Sequence, residues 1–228
     1  MSARGCFVTG SDTGAGKTVV GCALVRALRA RGIDVGVLKP IETGVDEAGP
    51  HDAIALREAA GSVESIGAIC PQQFALPAAP TVAAKHEGRE VDLGVIDRAF
   101  TDCAARHDFV LTEGAGGLLV PAAPGVTMAD LAARFELPLV VAARAALGTI
   151  NHTLLTLEAA AARGLDVLGV VISHVDGALS VADAANLELL RDALGEQLIG
   201  EIPPLAPGSD APADAINVDR VLAGAGRR

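Results

Sequence analysis

The chain has 228 residues, more than the ~100–200 residues of a usual domain, but α/β folds often reach this length as one unit, so we expect a single domain over residues 1–228. Half of the residues are apolar and only 2% are aromatic, which predicts a core of Val, Leu, Ile and Ala, as in buried parallel strands flanked by helices. The net charge of −10 argues against a general nucleic-acid-binding or anionic-membrane surface.

Short apolar runs rich in branched residues predict buried parallel strands. In chain order these runs are Cys6–Thr9, Val35–Leu38, Phe109–Thr112, Leu139–Ala142 and Val167–Ile172, with Leu198–Ile202 as a candidate last strand. Helical patterns separate the strands, at Lys17–Arg31, Ala53–Ala60, Leu93–Arg106, Met128–Phe135, Asn151–Arg163 and Val181–Leu194. Repeated β-α alternation predicts a three-layer, doubly wound α/β fold with a mainly parallel sheet.

Two stretches are less regular. Residues 40–92, with an insertion around Pro71–Pro80, are expected to hold substrate-specific structure, and the proline-rich segment Pro203–Pro212 is expected to form a surface loop or tail. The cysteines are far apart and lack metal-ligand spacing, which favours reduced thiols in the cytosol. Charged residues interrupt the most hydrophobic stretch, so we expect no membrane span.

A glycine-rich segment follows the first strand and opens the first helix; it reads Gly10-Ser-Asp-Thr-Gly-Ala-Gly-Lys17-Thr18. In this context glycines let backbone N–H groups surround phosphate oxygens, Lys17 neutralises the β- and γ-phosphates, and the Thr18 hydroxyl binds Mg²⁺. The usual motif has its first glycine where this chain has Ser11. The segment nevertheless predicts a nucleoside triphosphate site with Mg²⁺.

Three further groups are expected at the same edge of the sheet. Glu113 follows the strand Phe109–Thr112 and precedes a run of glycines, so its carboxylate can reach the metal bound by Thr18. Lys39 follows the second strand, where its charge can stabilise a transferred phosphoryl group, and the Thr43 hydroxyl lies just beyond it. Asp52 suits either a helix N-cap or a metal ligand, and the residues alone favour the cap.

These segments together resemble the dethiobiotin synthetase family. The resemblance runs through most of the chain and rests on the order and spacing of seven segments: residues 7–18, Lys39-Pro40, Thr43-Gly44, Asp52-Ala53, Glu113-Gly-Ala-Gly-Gly117, Leu147-Gly-Thr-Ile-Asn-His152 and Gly200-Glu-Ile-Pro203. In that family 7,8-diaminononanoate takes up CO₂ as a carbamate, ATP phosphorylates the carbamate, and the second amine closes the ureido ring.

The resemblance implies a set of roles. Lys39 would be the catalytic cation, and Thr18, Asp52 and Glu113 would bind Mg²⁺. The triphosphate would lie against Gly14, Ala15, Gly16, Lys17, Thr18, Val19, Glu113, Gly114, Ala115 and Gly116. The substrate would contact Thr13, Thr43 and the helix start at Gly148, Thr149, Ile150 and Asn151, the last four acting on its carboxylate across a homodimer interface. His152 suits either this site or ordinary packing.

The chain departs from the family at two places. Gly14 stands where many members carry an acidic residue, and Ser173 with His174 stands where the family has a purine-reading Asn-Asp pair. The resemblance still assigns the base and ribose to Ser173, His174, Pro203, Pro204, Leu205 and Asp210. The nucleotide base preference therefore stays open.

Three other functions share part of this sequence pattern. A partition- or septum-site-type ATPase would share the sheet, the phosphate loop and dimerisation, but such proteins usually carry an extra lysine early in the loop, where this chain has Ser11 and Asp12. An amidoligase of the cobyrinic-acid type would need a glutaminase domain, for which the chain is too short. A nucleotide-binding scaffold without chemistry would release no ADP in response to substrate.

Overall fold

The computed structural model describes residues 4–175, 179–206, 208–212 and 214–226. The strands among them are β1 (Gly5–Gly10), β2 (Val35–Leu38), β3 (Ile41–Thr43), β4 (Gln72–Phe74), β5 (Phe109–Gly117), β6 (Pro121–Ala123), β7 (Val126–Thr127), β8 (Leu139–Arg144), β9 (Val167–Ser173) and β10 (Leu198–Ile202). The helices are α1 (Lys17–Ala30), α2 (His51–Ala60), α3 (Ile66–Ile69), α4 (Pro80–His86), α5 (Leu93–Arg106), α6 (Met128–Arg134), α7 (Thr149–Ala161), α8 (Val181–Leu194) and α9 (Val218–Gly224).

The central sheet has six strands in the order β10-β9-β8-β1-β5-β2, and every neighbouring pair is parallel. The first strand β1 therefore lies in the interior of the sheet, between β8 and β5. Its carboxyl end leads directly into the glycine-rich segment. The predicted α/β fold with a doubly wound parallel sheet is confirmed.

Apolar cores lie on both faces of the sheet, because successive strand residues point to opposite sides. Cys6 and Val8 of β1 belong to a cluster with α1 and α2, whereas Phe7 between them joins a cluster with α6 on the other face. A third cluster joins Val141 and Val170 to α8. The three layers predicted from the β-α alternation follow from this division.

The structure is more regular than expected in residues 40–92. The short strands β3 and β4 form a separate parallel pair, and α3 and α4 lie in the same region. Strand β6 pairs with β7 in a second small sheet, and α9 packs near the end of the chain. These elements are two to seven residues long, so they carry too few residues for a clear hydrophobic period.

Several predicted boundaries were wrong by a few residues. Strand β5 continues to Gly117, helix α7 begins at Thr149, and helix α2 begins at His51. The segment Pro203–Pro212 follows β10 without regular structure, although Pro207 lies outside the described residues. Within the described part of the chain, no helix combines the length and hydropathy needed to cross a bilayer.

Candidate nucleotide-binding site

The glycine-rich segment forms a tight loop between β1 and α1. Gly16 is the N-cap of α1 and has a φ of 84°, a conformation that L side chains rarely adopt. A Cβ atom at Gly16 would lie 2.4 Å from Ser173 Oγ, so the loop also packs closely on the end of β9. The free N–H groups at the start of α1 make the loop a suitable anion site.

Lys17 lies at the start of α1 and is 8% exposed. Burial, together with the neighbouring charge of Lys39, lowers the pKa of Lys17 below its ordinary value, whereas Glu113, Asp52 and Asp12 oppose that shift. A Cβ at Gly10 would come within 3.3 Å of Lys17 Nζ. A glycine at position 10 therefore keeps space for the ammonium group, although the usual motif has its first glycine one residue later.

A cavity of about 360 Å³ opens beside this loop. Most of the residues that the sequence assigned to the phosphates, metal and substrate amine line it, namely Thr13, Gly14, Gly16, Lys17, Thr18, Val19, Lys39, Thr43, Asp52, Ala115 and Gly116; Glu42 and Val175 line it as well. Ala15 is buried beneath the loop. The structure thus brings the predicted triphosphate positions into one place.

Two carboxylates and one hydroxyl converge at the inner end of the cavity. Thr18 Oγ1 lies 2.7 Å from Asp52 Oδ1 and 3.0 Å from Glu113 Oε1. Glu113 is fully buried, and its Oε2 has no hydrogen-bond partner among the described residues. Glu113 therefore faces the protein interior rather than solvent.

Glu113 lies inside β5 rather than after its end, which corrects the predicted strand boundary. The register shifts between Val8 and Gly10 of β1, whose partners on β5 are Glu113 and Gly117. Extra residues on one strand of a pair bend its backbone. At this bend the Gly114 carbonyl accepts a hydrogen bond from Lys39 Nζ at 3.2 Å.

Lys39 is the second buried lysine of the site, with 2% of its surface exposed. Its Nζ lies 2.6 Å from Glu113 Oε1 and 2.7 Å from Asp52 Oδ2. Burial alone would lower the pKa of Lys39, but the two carboxylates outweigh it and raise the pKa above its ordinary value. The two carboxylates therefore favour the charged form of Lys39 at the inner wall of the cavity.

The same contacts act on the pKa values of the acids. Burial raises the pKa of Glu113, with the Lys39 ammonium opposing that effect. For Asp52 burial also acts upward, but Lys39 and the Thr18 hydroxyl outweigh it, so its pKa is lowered. The cluster therefore balances two acids against two lysines, of which Glu113, Lys39 and Lys17 are buried and Asp52 is partly exposed.

Asp52 is not the N-cap of α2, so the interpretation favoured by the sequence was wrong. The N-cap is Pro50, which offers no side-chain bond, and Asp52 stands two residues later with its carboxylate turned to Thr18 and Lys39. Glu42 of β3 caps the helix instead, because its two oxygens accept from Asp52 N at 2.9 Å and Ala53 N at 3.0 Å. Glu42 was not among the predicted site residues, although a helix that begins after a proline without a local cap indicates that a distant side chain caps it.

The predicted carboxylate-binding segment lies apart from this cavity. Gly148, with a φ of 88°, is the N-cap of α7, and Thr149, Ile150 and Asn151 form the first turn. Thr149 is buried, its Oγ1 lies 3.5 Å from Thr153 Oγ1, and its backbone N–H donates to the Ala146 carbonyl at 3.1 Å. Within the described part of a single chain, these four residues do not line the 360 Å³ cavity.

A second cavity of about 390 Å³ lies between the outer arm of the loop and α7. Thr13 lines both cavities, and Asp12, His152 and Leu155 line only the second. The His152 Nδ1 atom lies 3.5 Å from Asp12 Oδ2. His152 thus faces the phosphate loop rather than the core.

The predicted base-binding residues are dispersed. Ser173 is buried under Gly16, and His174 is 2.6 Å from Glu201, which also binds Arg191 through two hydrogen bonds. Asp210 pairs with Arg26 at 2.6 Å. Pro203 and Pro204 are exposed, and Leu205 packs against the core next to α1. The residues in this group do not line the cavity beside the loop, where Val175 is the nearest side chain from the end of β9.

Comparisons with known proteins agree with these observations. Residues 4–211 match a family model described as an AAA domain. The chain is 56% identical over 171 residues to the ATP-dependent dethiobiotin synthetase BioD of Anaeromyxobacter dehalogenans (strain 2CP-C), covering 75% of this chain and 77% of that protein. It is 39% identical over 189 residues to the protein of the same name from Aquifex aeolicus (strain VF5), covering 83% and 84%.

Among solved structures, the chain is similar to a ParA family ATPase from Chlorobium tepidum TLS. The two share 12% sequence identity with a TM-score of 0.53, over 98% of this chain and 99% of that one. At this identity the similarity supports the shared fold and carries no statement about activity.

Proposed function

The chain belongs to the dethiobiotin synthetase family, and from this premise we propose that it closes the ureido ring of dethiobiotin from 7,8-diaminononanoate, CO₂ and ATP. It is an enzyme, an ATP-dependent ligase of biotin biosynthesis. The observation that carries the finer proposal is the second buried lysine, because Lys39 lies between Glu113 and Asp52 at the wall of the phosphate cavity. A partition-type ATPase would instead carry its extra lysine early in the loop, where this chain has Ser11 and Asp12.

The proposed reaction has three balanced steps. One amine of the diamine adds to CO₂ and loses a proton, which gives a carbamate. A carbamate oxygen then attacks the γ-phosphorus of ATP, the bond to the β-γ bridging oxygen breaks, and ADP leaves. Finally the second amine attacks the carbonyl carbon of the mixed anhydride, inorganic phosphate leaves with the carbonyl-phosphate oxygen, and the ring closes with loss of a proton.

In this reaction Lys17 and the loop amides hold the β- and γ-phosphates. Lys39 stabilises the negative charge of the carbamate and of the migrating phosphoryl group, because it is a buried lysine whose pKa the two neighbouring carboxylates raise. Such a donor acts most strongly where water is excluded. The Thr43 hydroxyl, which lines the same cavity, orients the reacting amine or carbamate.

Mg²⁺ fits the residues at the inner end of the cavity. Two carboxylates and a hydroxyl are the oxygen donors that this ion prefers, and Glu113 Oε2 is buried without a partner among the described residues. The described residues contain no cluster of three acidic, histidine or cysteine ligands, so phosphate oxygens and water would complete the shell, as Mg²⁺ sites usually require. Thr18, Asp52 and Glu113 would hold the ion, which supplies charge neutralisation at the phosphates.

We also propose a homodimer in which the first turn of α7 receives the substrate carboxylate from the partner's site. Leu147, Leu154 and Leu155 at this helix are 80%, 38% and 54% exposed, which favours burial against a second copy. The amides of Ile150 and Asn151 at the start of α7 suit a carboxylate, whereas the Thr149 amide already donates to Ala146 O. Residues 1–228 would act as one domain, and the buried free thiols agree with a cytosolic location.

The decisive experiment incubates the protein with ATP, Mg²⁺, bicarbonate and 7,8-diaminononanoate and measures ADP together with dethiobiotin. We expect equal amounts of both products, and little ADP when the diamine is left out. ADP release that is independent of the diamine, without dethiobiotin, would instead favour the partition- or septum-type ATPase.

The same assay with other nucleoside triphosphates would determine the base preference. The His174, Glu201 and Asp210 side chains already have partners in the protein, so they leave few groups free to read a purine.

A further inference from the structure

The start of helix α2 is held from outside the helix. Its N-cap, Pro50, has extended backbone but no side-chain oxygen, so it leaves the first amide groups without the usual partner. Glu42 fills this role from β3, across ten positions in sequence, with one oxygen on Asp52 N and the other on Ala53 N. A carboxylate at a helix N-terminus is also favoured by the helix dipole.

The residue whose amide Glu42 binds is a central residue of the site. Asp52 N donates to Glu42, while the Asp52 side chain reaches Thr18 with one oxygen and Lys39 with the other. Glu42 therefore fixes the backbone on which Asp52 is built. Glu42 itself is 6% exposed, so its position is set by the surrounding protein.

The rest of α2 does not depend on this contact. Ala53, Leu56, Ala59 and Ala60 are buried and anchor the body of the helix in the core. Loss of Glu42 should therefore loosen only the first turn, and the fold should survive. This separates an effect on the site from a general loss of structure.

We propose that Glu42 is a positioning residue, which replaces the missing cap of α2 and so directs the Asp52 carboxylate toward Thr18 and Lys39. The part of this inference that concerns Mg²⁺ rests on the proposed function. Residues that orient a metal ligand typically change metal affinity or activity by about 10–100-fold when mutated. An effect of this size is expected here.

The test uses Glu42→Gln, which keeps the side-chain volume. The amide group turns a donor toward a backbone N–H, so one of the two capping bonds is lost. Asp92→Ala is the matched control, because Asp92 caps α5 by accepting from Val95 N at 3.1 Å, away from the cavity, and alanine offers no acceptor. Hydrogen exchange of the metal-free proteins should become faster at the start of α2 in the first variant and at the start of α5 in the second.

Metal binding is then measured with Mn²⁺ by electron paramagnetic resonance, in the presence of a non-hydrolysable ATP analogue. Glu42→Gln should weaken Mn²⁺ binding by roughly 10–100-fold, while Asp92→Ala should bind Mn²⁺ like the parent. Nucleotide affinity without metal should stay unchanged in both variants. High Mg²⁺ concentration should restore much of the turnover of Glu42→Gln.

A rescue variant makes the test specific. Pro50→Ser in the Glu42→Gln background supplies a local capping hydroxyl at a residue whose φ of −76° and ψ of 100° suit an N-cap. Recovery of helix protection and of Mn²⁺ affinity supports the proposal. Unchanged Mn²⁺ affinity in Glu42→Gln, or failure of the rescue, overturns it.

Two other outcomes are distinct. A higher KM for the diamine with unchanged Mn²⁺ binding would assign Glu42 to the substrate and overturn the positioning role. If the parent itself binds no Mn²⁺, the metal site in the proposed function fails, while hydrogen exchange and turnover of the Glu42→Gln and rescue variants still decide the role of Glu42.

Discussion

Replacement of Lys39 by alanine should separate catalysis from nucleotide binding. Lys39 would meet charge that develops on the carbamate and phosphoryl group, so its loss should lower turnover by the ~10²–10³-fold seen when a transition-state donor is removed. ATP affinity should change far less, because Lys17 and the loop amides remain. Lys17→Ala is the matched control and should impair ATP binding and turnover together.

The Lys39→Ala substitution should also lower the stability of the protein. Lys39 and Glu113 are both buried, and removing one partner of a buried ion pair costs about 3–5 kcal/mol of unfolding free energy. The pair with Asp52 adds less, since the Asp52 side chain is 38% exposed and screened by solvent. Adding Glu113→Gln to Lys39→Ala should recover most of this stability, because no buried charge is left without a partner, but it should recover no turnover.

Three measurements decide the matter: denaturant unfolding, nucleotide titration, and dethiobiotin formation by the parent and the variants. If Lys39→Ala forms dethiobiotin at near-parental rates, the catalytic role of Lys39 is wrong. The role is equally refuted if this folded variant loses ATP binding as severely as Lys17→Ala.

The other predictions concern metal, loop and assembly. Glu113→Gln should fold with reduced stability, because Lys39 keeps only Asp52 as a charged partner, and it should require more Mg²⁺ for half-maximal turnover. An unchanged Mg²⁺ titration would remove Glu113 from the metal site. In a nucleotide titration, Gly16→Ala should weaken ATP binding far more than Gly14→Ala. The new Cβ at position 16 meets Ser173 Oγ at 2.4 Å, whereas a Cβ at position 14 meets no atom within 4 Å. Equal effects of the two substitutions would contradict this packing argument. The parent should be a dimer by light scattering and Leu155→Glu a monomer, since a charge at a 54% exposed leucine would be buried in the interface; an active monomeric parent would refute the dimer.

The central sheet could be predicted from sequence because its strands are buried on both faces. Runs such as Val35–Leu38 are therefore continuously apolar, and β2 has the predicted bounds. Strand β3 was missed because a strand of three residues is too short to show a hydrophobic period. The end of β5 was missed because glycines normally mark a turn, whereas here they continue the strand beside β1.

The phosphate loop was also predictable, because each residue type in it serves a local geometric need. The relation of Glu42 to Asp52 was not, because it depends on two elements meeting in space. When the capping oxygen belongs to a residue of another strand, its distance in sequence from the helix is not fixed, so no sequence motif reveals it. For the same reason the sequence favoured Asp52 as the N-cap of α2, although its side chain points away from the helix amides and contacts Lys39.

The interior place of β1 in the sheet has a consequence for folding. The strand that leads into the phosphate loop pairs with β5 and β8, both from much later in the chain. Contacts between distant segments form slowly, because the entropy of closing the long loop must be overcome first. During synthesis β1 and its loop therefore emerge well before β5 and β8 have been made. The apolar residues of β1 stay without strand partners until the middle of the chain has been synthesised.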